Sequence, residues 1–395
     1  MKTIELRRGK ASSLLRFHPW IFSGAIARME PGIGEGDLVR VVDSDGSFLA
    51  VGHYEQGSIA VRVLSFEEEA IDADFWQARI QEAFRLRRAL GLVDEHDNDI
   101  YRLVHGEGDR LPGLIVDIYG PTAVMQAHSA GMHRQRQVIA EAIVRASEGR
   151  VTSVYYKSEG TLPFMISSEE AQNTFLVGQA SQDIATEMGL KFHIDWLRGQ
   201  KTGFFIDQRE NRRLLETYAK GRDVLNMFCY TGGFSVYALR GGARTVHSVD
   251  SSAKAMELTR SNVALNFPDD TRHEGFAEDA FRYLDHIGRR SAYDLIILDP
   301  PAFAKHKDAV RNAIKGYTRL NAIAFDRIRP GGILFTFSCS QAVNKEQFRL
   351  AVFTAAAQSG RHVRILHQLH QPADHPISIY HPEGEYLKGL VLYVE

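Results

Sequence analysis

The stretch 294-DLIILDPPAFAKHK-307, followed by 333-ILFTFSCS-340, decides the fold. Each segment opens with a short apolar run bounded by turn residues, the pattern of a strand buried on both faces of a parallel sheet. In an open α/β sheet the ligand crevice lies at the carboxyl ends of the strands. Asp299 and Cys339 are therefore expected to face one pocket. An acid beside a potential nucleophile suggests covalent chemistry rather than a simple binding module.

Outward from this pair, the second half of the chain alternates strand and helix. Strands are expected at 223-DVLNMF-228, 245-TVHSVD-250, 294-DLIILD-299 and 333-ILFTFS-338, with helices from Phe234, from Ser252 to Leu265 and from about Ala309 to Ile328, and a closing strand at 389-GLVLYVE-395. That is a doubly wound sheet of the Rossmann type, with the common order 3-2-1-4-5. Upstream, 43-DSDGS-47 and 55-EQGS-58 separate β-branched runs between Gly36 and Leu64, the signal of a small β-barrel or meander. Between them lies a mixed α/β segment with helical spacing at Phe75, Trp76, Ile80, Ala83, Phe84 and Leu90, strands at 114–120, 122–128 and 151–157, and a helix from about Arg134 to Ala146. The expected domains are 1–70, 71–185 and 186–395.

The bulk properties fit a soluble globular protein. A chain of 395 residues exceeds one ordinary domain. No segment reads as a secretory signal or a membrane span, which leads us to expect a cytoplasmic protein. Its two cysteines, Cys229 and Cys339, are expected to be reduced thiols, with Cys229 a packing residue. The net charge of −2 excludes a uniformly basic coat, but Lys2, Arg7, Arg8, Lys10, Arg16, Arg28 and Arg40 cluster early, and Arg79, Arg85, Arg87 and Arg88 share a helix. Each cluster reads either as a phosphate track or as a solvated face. His367, His370 and His375 lack cysteine partners, and no metal is expected.

The first strand of the sheet runs into 226-NMFCYTGGFS-235, a glycine-containing turn without the G-x-G-x-x-G of dinucleotide sites, and no nucleoside-triphosphate loop is present. A nucleoside lacking a pyrophosphate remains, and S-adenosylmethionine fits. Asp250 would accept the ribose hydroxyls or simply cap the next helix, and Glu278 and Asp279 would meet the adenine edge.

The set 201-KTGFFIDQRENR-212, 226-NMFCYTGGFS-235, 298-LDPPAFAK-305, 337-FSCS-340 and 384-GEYLKGL-390 resembles the bacterial class I RNA methyltransferases that make 5-methylcytosine in large-subunit ribosomal RNA. The segment containing 18-HPWIFSGAI-26 is similar to that family's PUA domain, and 101-YRLVHGEGDRLPGLIVDIYG-120 to its middle domain. The resemblance implies Cys339 as nucleophile and Asp299 as the acid on the target base. It implies Asn226, Phe228, Tyr230, Thr231, Gly232, Asp250, Glu278, Asp279, Asp299 and Gln208 around the cofactor, and Lys201, Phe204, Arg209, Pro300 and Lys305 toward the substrate, with Lys201 to Arg209, Asp207 included, on a hairpin-like segment. Ribosomal RNA is the implied partner; the oligomeric state stays open, a homodimer among the options.

The implied chemistry is thiolate attack on carbon 6 of a flipped cytosine, which turns carbon 5 into a nucleophile. Cys339 would need an electropositive surrounding, which Lys305 or Lys201 would supply. No residue presents itself as the base that later removes the carbon 5 proton. One departure stands out, because 299-DPPAF-303 lacks the second cysteine that assists product release in many such enzymes. The same Asp-Pro-Pro form resembles methyltransferases of purine nitrogens, in which Cys339 would be inert. A third reading is a catalytically inactive, RNA-binding ribosome assembly factor.

Overall fold

The computed structural model describes residues 1–93, 96–163, 166, 171–179, 182–287, 292–304 and 306–395. The chain forms two compact units, one made of Met1–Gly189, Ile194–Ile206 and Ala373–Gly384, the other of Leu190–His193, Asp207–Pro372 and Glu385–Glu395.

In the first unit, β1 (Lys2–Leu6), β2 (Trp20–Phe22), β3 (Ile26–Met29), β4 (Leu38–Val42), β5 (Phe48–Tyr54) and β6 (Ile59–Ser65) form a sheet ordered β2-β6-β5-β4-β1-β3. Pairing is antiparallel except between β1 and β4. Strand-period alternation places Ile4 and Leu6 inward, beside Ile21, Val39, Val41, Val61 and Val63. The sheet thus begins well before Gly36. Its first three strands are short and carry Lys2, Arg7 and Arg28 at or beside their ends, so composition hides them. These cations are engaged: Lys2 donates to the Gly32 carbonyl, Arg7 to the Ile26 carbonyl, and Arg28 pairs with Glu5.

A second sheet follows α1 (Ala73–Ala89). It contains β7 (Ile100–His105), β8 (Leu114–Tyr119), β9 (Thr122–Ala127), β10 (Ser153–Tyr156) and β11 (Thr174–Val177), ordered β11-β10-β9-β8-β7, with α2 (Ala130–Arg134) and α3 (Arg136–Ala146) between β9 and β10. Asp72 caps α1 by accepting from the Asp74 and Phe75 N–H groups, and Trp76, Ile80 and Phe84 then face one core with Ile139 and Ile143.

The arginines of α1 are engaged within the fold. Arg87 is fully buried; it pairs with the Asp109 carboxylate and donates to the carbonyls of Arg102 and Asp374, each at 2.7 Å. Asp374 also accepts from the Arg102 N–H at 2.9 Å. Arg79 and Arg85 pair with Glu82, and Arg88 with Glu148. Of the four, Arg85 stays largely exposed.

β12 (Ile184–Glu187) belongs to the first unit and β13 (Leu190–His193) to the second. The second unit continues with α4 (Arg209–Ala219), β14 (Asp223–Met227), α5 (Gly233–Arg240), β15 (Thr245–Asp250), α6 (Ala253–Asn266), β16 (His273–Ala277), α7 (Ala280–His286), β17 (Tyr293–Leu298), α8 (Val310–Arg327), β18 (Ile328–Ser338), α9 (Lys345–Ser359), β19 (Val363–Leu369) and β20 (Lys388–Val394). Its sheet is ordered β16-β15-β14-β17-β18-β20-β19. The first five strands are parallel and carry the expected 3-2-1-4-5 order; β20 and β19 extend it antiparallel. Parallel strands need crossover helices, and their residues are buried on both faces, which is why 295–298 and 333–337 are apolar throughout.

Candidate active site

Register brings the strand ends together. Met227 pairs with Leu298 and Leu298 with Thr336, so Phe228 and Asp299 leave the sheet at one edge, level with Phe337, which stays in β18 opposite Gly389. Cys339 lies two positions further, and its Sγ is 4.0 Å from the Pro300 carbonyl oxygen. The two loops are latched. Ser340 Oγ donates to the Ala304 carbonyl at 2.6 Å, and Ser338 Oγ donates to the Tyr317 hydroxyl at 2.8 Å, while the Tyr317 ring packs on Phe303 at 4.6 Å. A side chain and its neighbours held by packed partners lose little entropy on reaching any one geometry.

Burial pushes the Asp299 carboxyl up to about 7; the negative charge of Asp207 adds to this, and a hydrogen bond from Gln208 and the charge of Arg212 work against it. Gln208 is buried and itself receives the Asn211 side-chain amide at 2.6 Å. Burial also pushes the Cys339 thiol up to about 12, aided by the charges of Asp299 and Asp207. Its immediate surroundings are thus more acidic than expected. The opposing cation is Lys388, whose buried ammonium donates to the Ser340 carbonyl and, at 2.7 Å, to the Val343 carbonyl. Desolvation lowers Lys388 to about 8.

The two residues expected to supply that charge are Lys201 and Lys305. Lys201 and Phe204 belong to the first unit, Lys201 exposed and Phe204 buried, and Lys305 lies outside the described residues. Lys388 and Tyr386 went unassigned within 384-GEYLKGL-390, although that segment carries both. The hairpin-like reading of 201–212 is corrected as well. Residues Ile206–Gln208 form a 3-10 turn that runs directly into α4, with Arg209, Asn211, Arg212, Leu215 and Ala219 on its buried side. Polar residues occupy much of that face, which masks the helical period.

At the other half of the edge, Phe228 and Tyr230 adopt left-handed backbone at φ 58° and 49°, and Gly232 at 79°. A Cβ on Gly232 would fall 2.6 Å from Thr259 Cγ2, so the turn requires glycine. Asp250 accepts from the Tyr230 N–H and the Ser252 N–H, each at 3.0 Å; it braces the turn and heads α6, and each oxygen keeps a lone pair. Asn226 donates to Ser235 Oγ at 2.8 Å, while its buried Oδ1 has no partner among the described residues. Thr231 is buried, and Cys229 packs against Met256 Sδ at 3.5 Å. Asp279 caps α7 through the Phe281 and Arg282 N–H groups, and Glu278 pairs with His286 at 2.8 Å. A close backbone turn, a carboxylate at the next strand end and an orphaned amide oxygen suit an uncharged nucleoside with hydroxyls to donate.

A parallel sheet in 3-2-1-4-5 order with this turn defines the class I methyltransferase fold. The profile of the S-adenosylmethionine-dependent methyltransferases matches residues 138–382, and that of a PUA-like domain residues 4–66. Ribosomal RNA large subunit methyltransferase I of Klebsiella pneumoniae is 39% identical over 394 residues, spanning 98% of this chain and 97% of that protein. Its counterpart in Tolumonas auensis is 40% identical over 399 residues, spanning 99% and 98%. A solved S-adenosylmethionine-dependent methyltransferase structure from Streptococcus mutans, at 22% identity, covers 100% of both chains with a TM-score of 0.84 and shares the fold. The chain belongs to the S-adenosylmethionine-dependent methyltransferase family that these relatives represent. Its cofactor is S-adenosylmethionine, and its amino-terminal sheet is PUA-like.

Proposed function

We propose that the protein methylates carbon 5 of a cytosine in large-subunit ribosomal RNA, with Cys339 as nucleophile and Asp299 as the acid on the ring. The relatives' names support the RNA class. The observation that carries the base is the Cys339 thiol against the carbonyl of Pro300, the residue after a carboxyl that is still half protonated near neutrality.

When bound, S-adenosylmethionine supplies a methyl group activated by its sulfonium. Asp250, Asn226, Phe228, the turn Tyr230 to Gly232, Glu278, Asp279 and Gln208 would hold it. Protonated Asp299 donates to ring nitrogen 3, drawing electron density from carbon 6 as the thiolate adds there, so that carbon 5 gains nucleophilic character. The protonated carboxyl also assists the thiol before that transfer. While Asp299 is neutral, one of the two negative charges that oppose ionisation of Cys339 is absent, and Lys388 weighs more. Arg209 and Pro300 shape the wall next to Asp299, Lys201 and Lys305 serve RNA contacts with the buried Phe204 ring supporting their segment, and the PUA-like sheet holds the surrounding RNA by shape and phosphates.

One observation favours methylation of a purine nitrogen instead, namely the raised thiol of Cys339. The test is labelled S-adenosylmethionine with unmodified large-subunit ribosomal RNA, comparing wild type with Cys339→Ala and identifying the labelled nucleoside by mass spectrometry. We expect 5-methylcytidine from the wild type and at least a roughly 1000-fold loss in the variant, on the scale of removing an essential nucleophile. A labelled purine that survives the substitution would overturn the assignment.

A further inference from the structure

Asp207 lies in the 3-10 turn Ile206–Gln208, immediately before the glutamine that hydrogen-bonds Asp299. Its Oδ2 accepts the Tyr386 hydroxyl at 2.8 Å, and Tyr386 is itself anchored, its N–H donating to Gln371 Oε1 at 3.1 Å. Its Oδ1 is buried and has no hydrogen-bond partner among the described residues. A buried carboxylate oxygen left unpaired is unfavourable, and such an atom in a native site calls for an explanation. The charge of Asp207 acts on both Asp299 and Cys339, so it lies within electrostatic reach of the two. One carboxylate oxygen is thus fixed by a tyrosine while the other is buried without a hydrogen bond among the described residues.

We propose that Asp207 Oδ1 is the base that removes the carbon 5 proton after methyl transfer, releasing the product from Cys339. This rests on the cytosine reading above. In the step, the carbon 5–hydrogen bond breaks and its proton goes to Oδ1. Its electron pair re-forms the carbon 5–carbon 6 double bond as the carbon 6–sulfur bond breaks, with that pair returning to Cys339 Sγ. The proton on ring nitrogen 3 goes back to Asp299, and Asp207 later gives its proton to water. The assignment accounts for release in a chain whose Asp-Pro-Pro motif lacks a second cysteine.

The test is Asp207→Asn, incubated with methyl-labelled S-adenosylmethionine and a large-subunit ribosomal RNA transcript. Loss of a positioned base costs on the order of 100- to 10,000-fold in turnover. We expect that loss together with a denaturant-resistant, nuclease-sensitive protein–RNA adduct carrying label, absent when Cys339→Ala is added. Turnover within a few-fold of wild type, or lost methyl transfer without an adduct in a folded variant, overturns the proposal. If Asp207→Asn fails to fold by circular dichroism, Tyr386→Phe decides, since it unfixes the carboxylate without removing it; adduct accumulation supports the proposal and unchanged release overturns it. Methylation of cytosine that survives Cys339→Ala alone would instead sink the reading on which this one rests.

Discussion

A carboxyl pushed up to about 7 is an acid at neutral pH, and this shapes two measurements on Asp299. Activity that needs the protonated form falls as pH rises through about 7, and Asp299→Asn loses that limb of the kcat/KM profile along with most of the rate. Stability follows the same group. Its folded pKa exceeds the ordinary 3.8, so between about 4 and 7 the folded state binds more protons and stability declines as pH rises. Thermal melts of wild type and Asp299→Asn across that window should diverge in slope, and parallel slopes would refute the shift. The juxtaposition of Asp299 and Cys339 was legible because each ends an apolar strand and the two strands are neighbours. Tyr386 and Lys388 were not, and Asp207 stood on the segment bordering the pocket without a role. Asp207 and Tyr386 are 179 positions apart, and nothing local in either segment announces the contact.

Among the elements, the turn after β14 is the most demanding. Gly232 combines φ 79° with a neighbouring Thr259 that would collide with any Cβ. Gly232→Ala should therefore cost about 1–3 kcal/mol in urea unfolding, the scale of a strained backbone position. It should also weaken S-adenosylmethionine binding at least about tenfold by calorimetry, because Tyr230 and Asp250 are set by the same turn. A variant with wild-type affinity would separate the turn from the cofactor. The parallel strands could be read in advance because burial on both faces forces continuous apolar runs. By contrast, β1, β2 and β3 escaped notice, being short and bordered by basic residues, and α4 escaped because Arg209, Asn211 and Arg212 stand where an amphipathic helix would carry aliphatic side chains.

For the molecule as a whole, buried neutral histidine sets an acid limit. His53 stacks on Trp76 at 6.2 Å with neither ring nitrogen hydrogen-bonded among the described residues, and burial lowers it from 6.5 to about 4. The unfolded chain binds that proton first, so stability present above about 6.5 is lost as pH falls toward 4. The full effect is about 3 kcal/mol, from roughly 1.4 kcal/mol per pKa unit. Urea midpoints at pH about 7 and about 4.5 should show the loss, and His53→Met should reduce it; an unchanged slope would remove His53 from the account. The anchoring of Arg87 bears on how the polypeptide is made. Its guanidinium depends on the Asp374 carbonyl, 287 positions downstream, so the amino-terminal half emerges from the ribosome with a buried-arginine niche it cannot yet close. Final consolidation of the PUA-bearing unit must await synthesis of nearly the entire chain, and a fragment cut at residue 206 would carry that unfinished niche permanently.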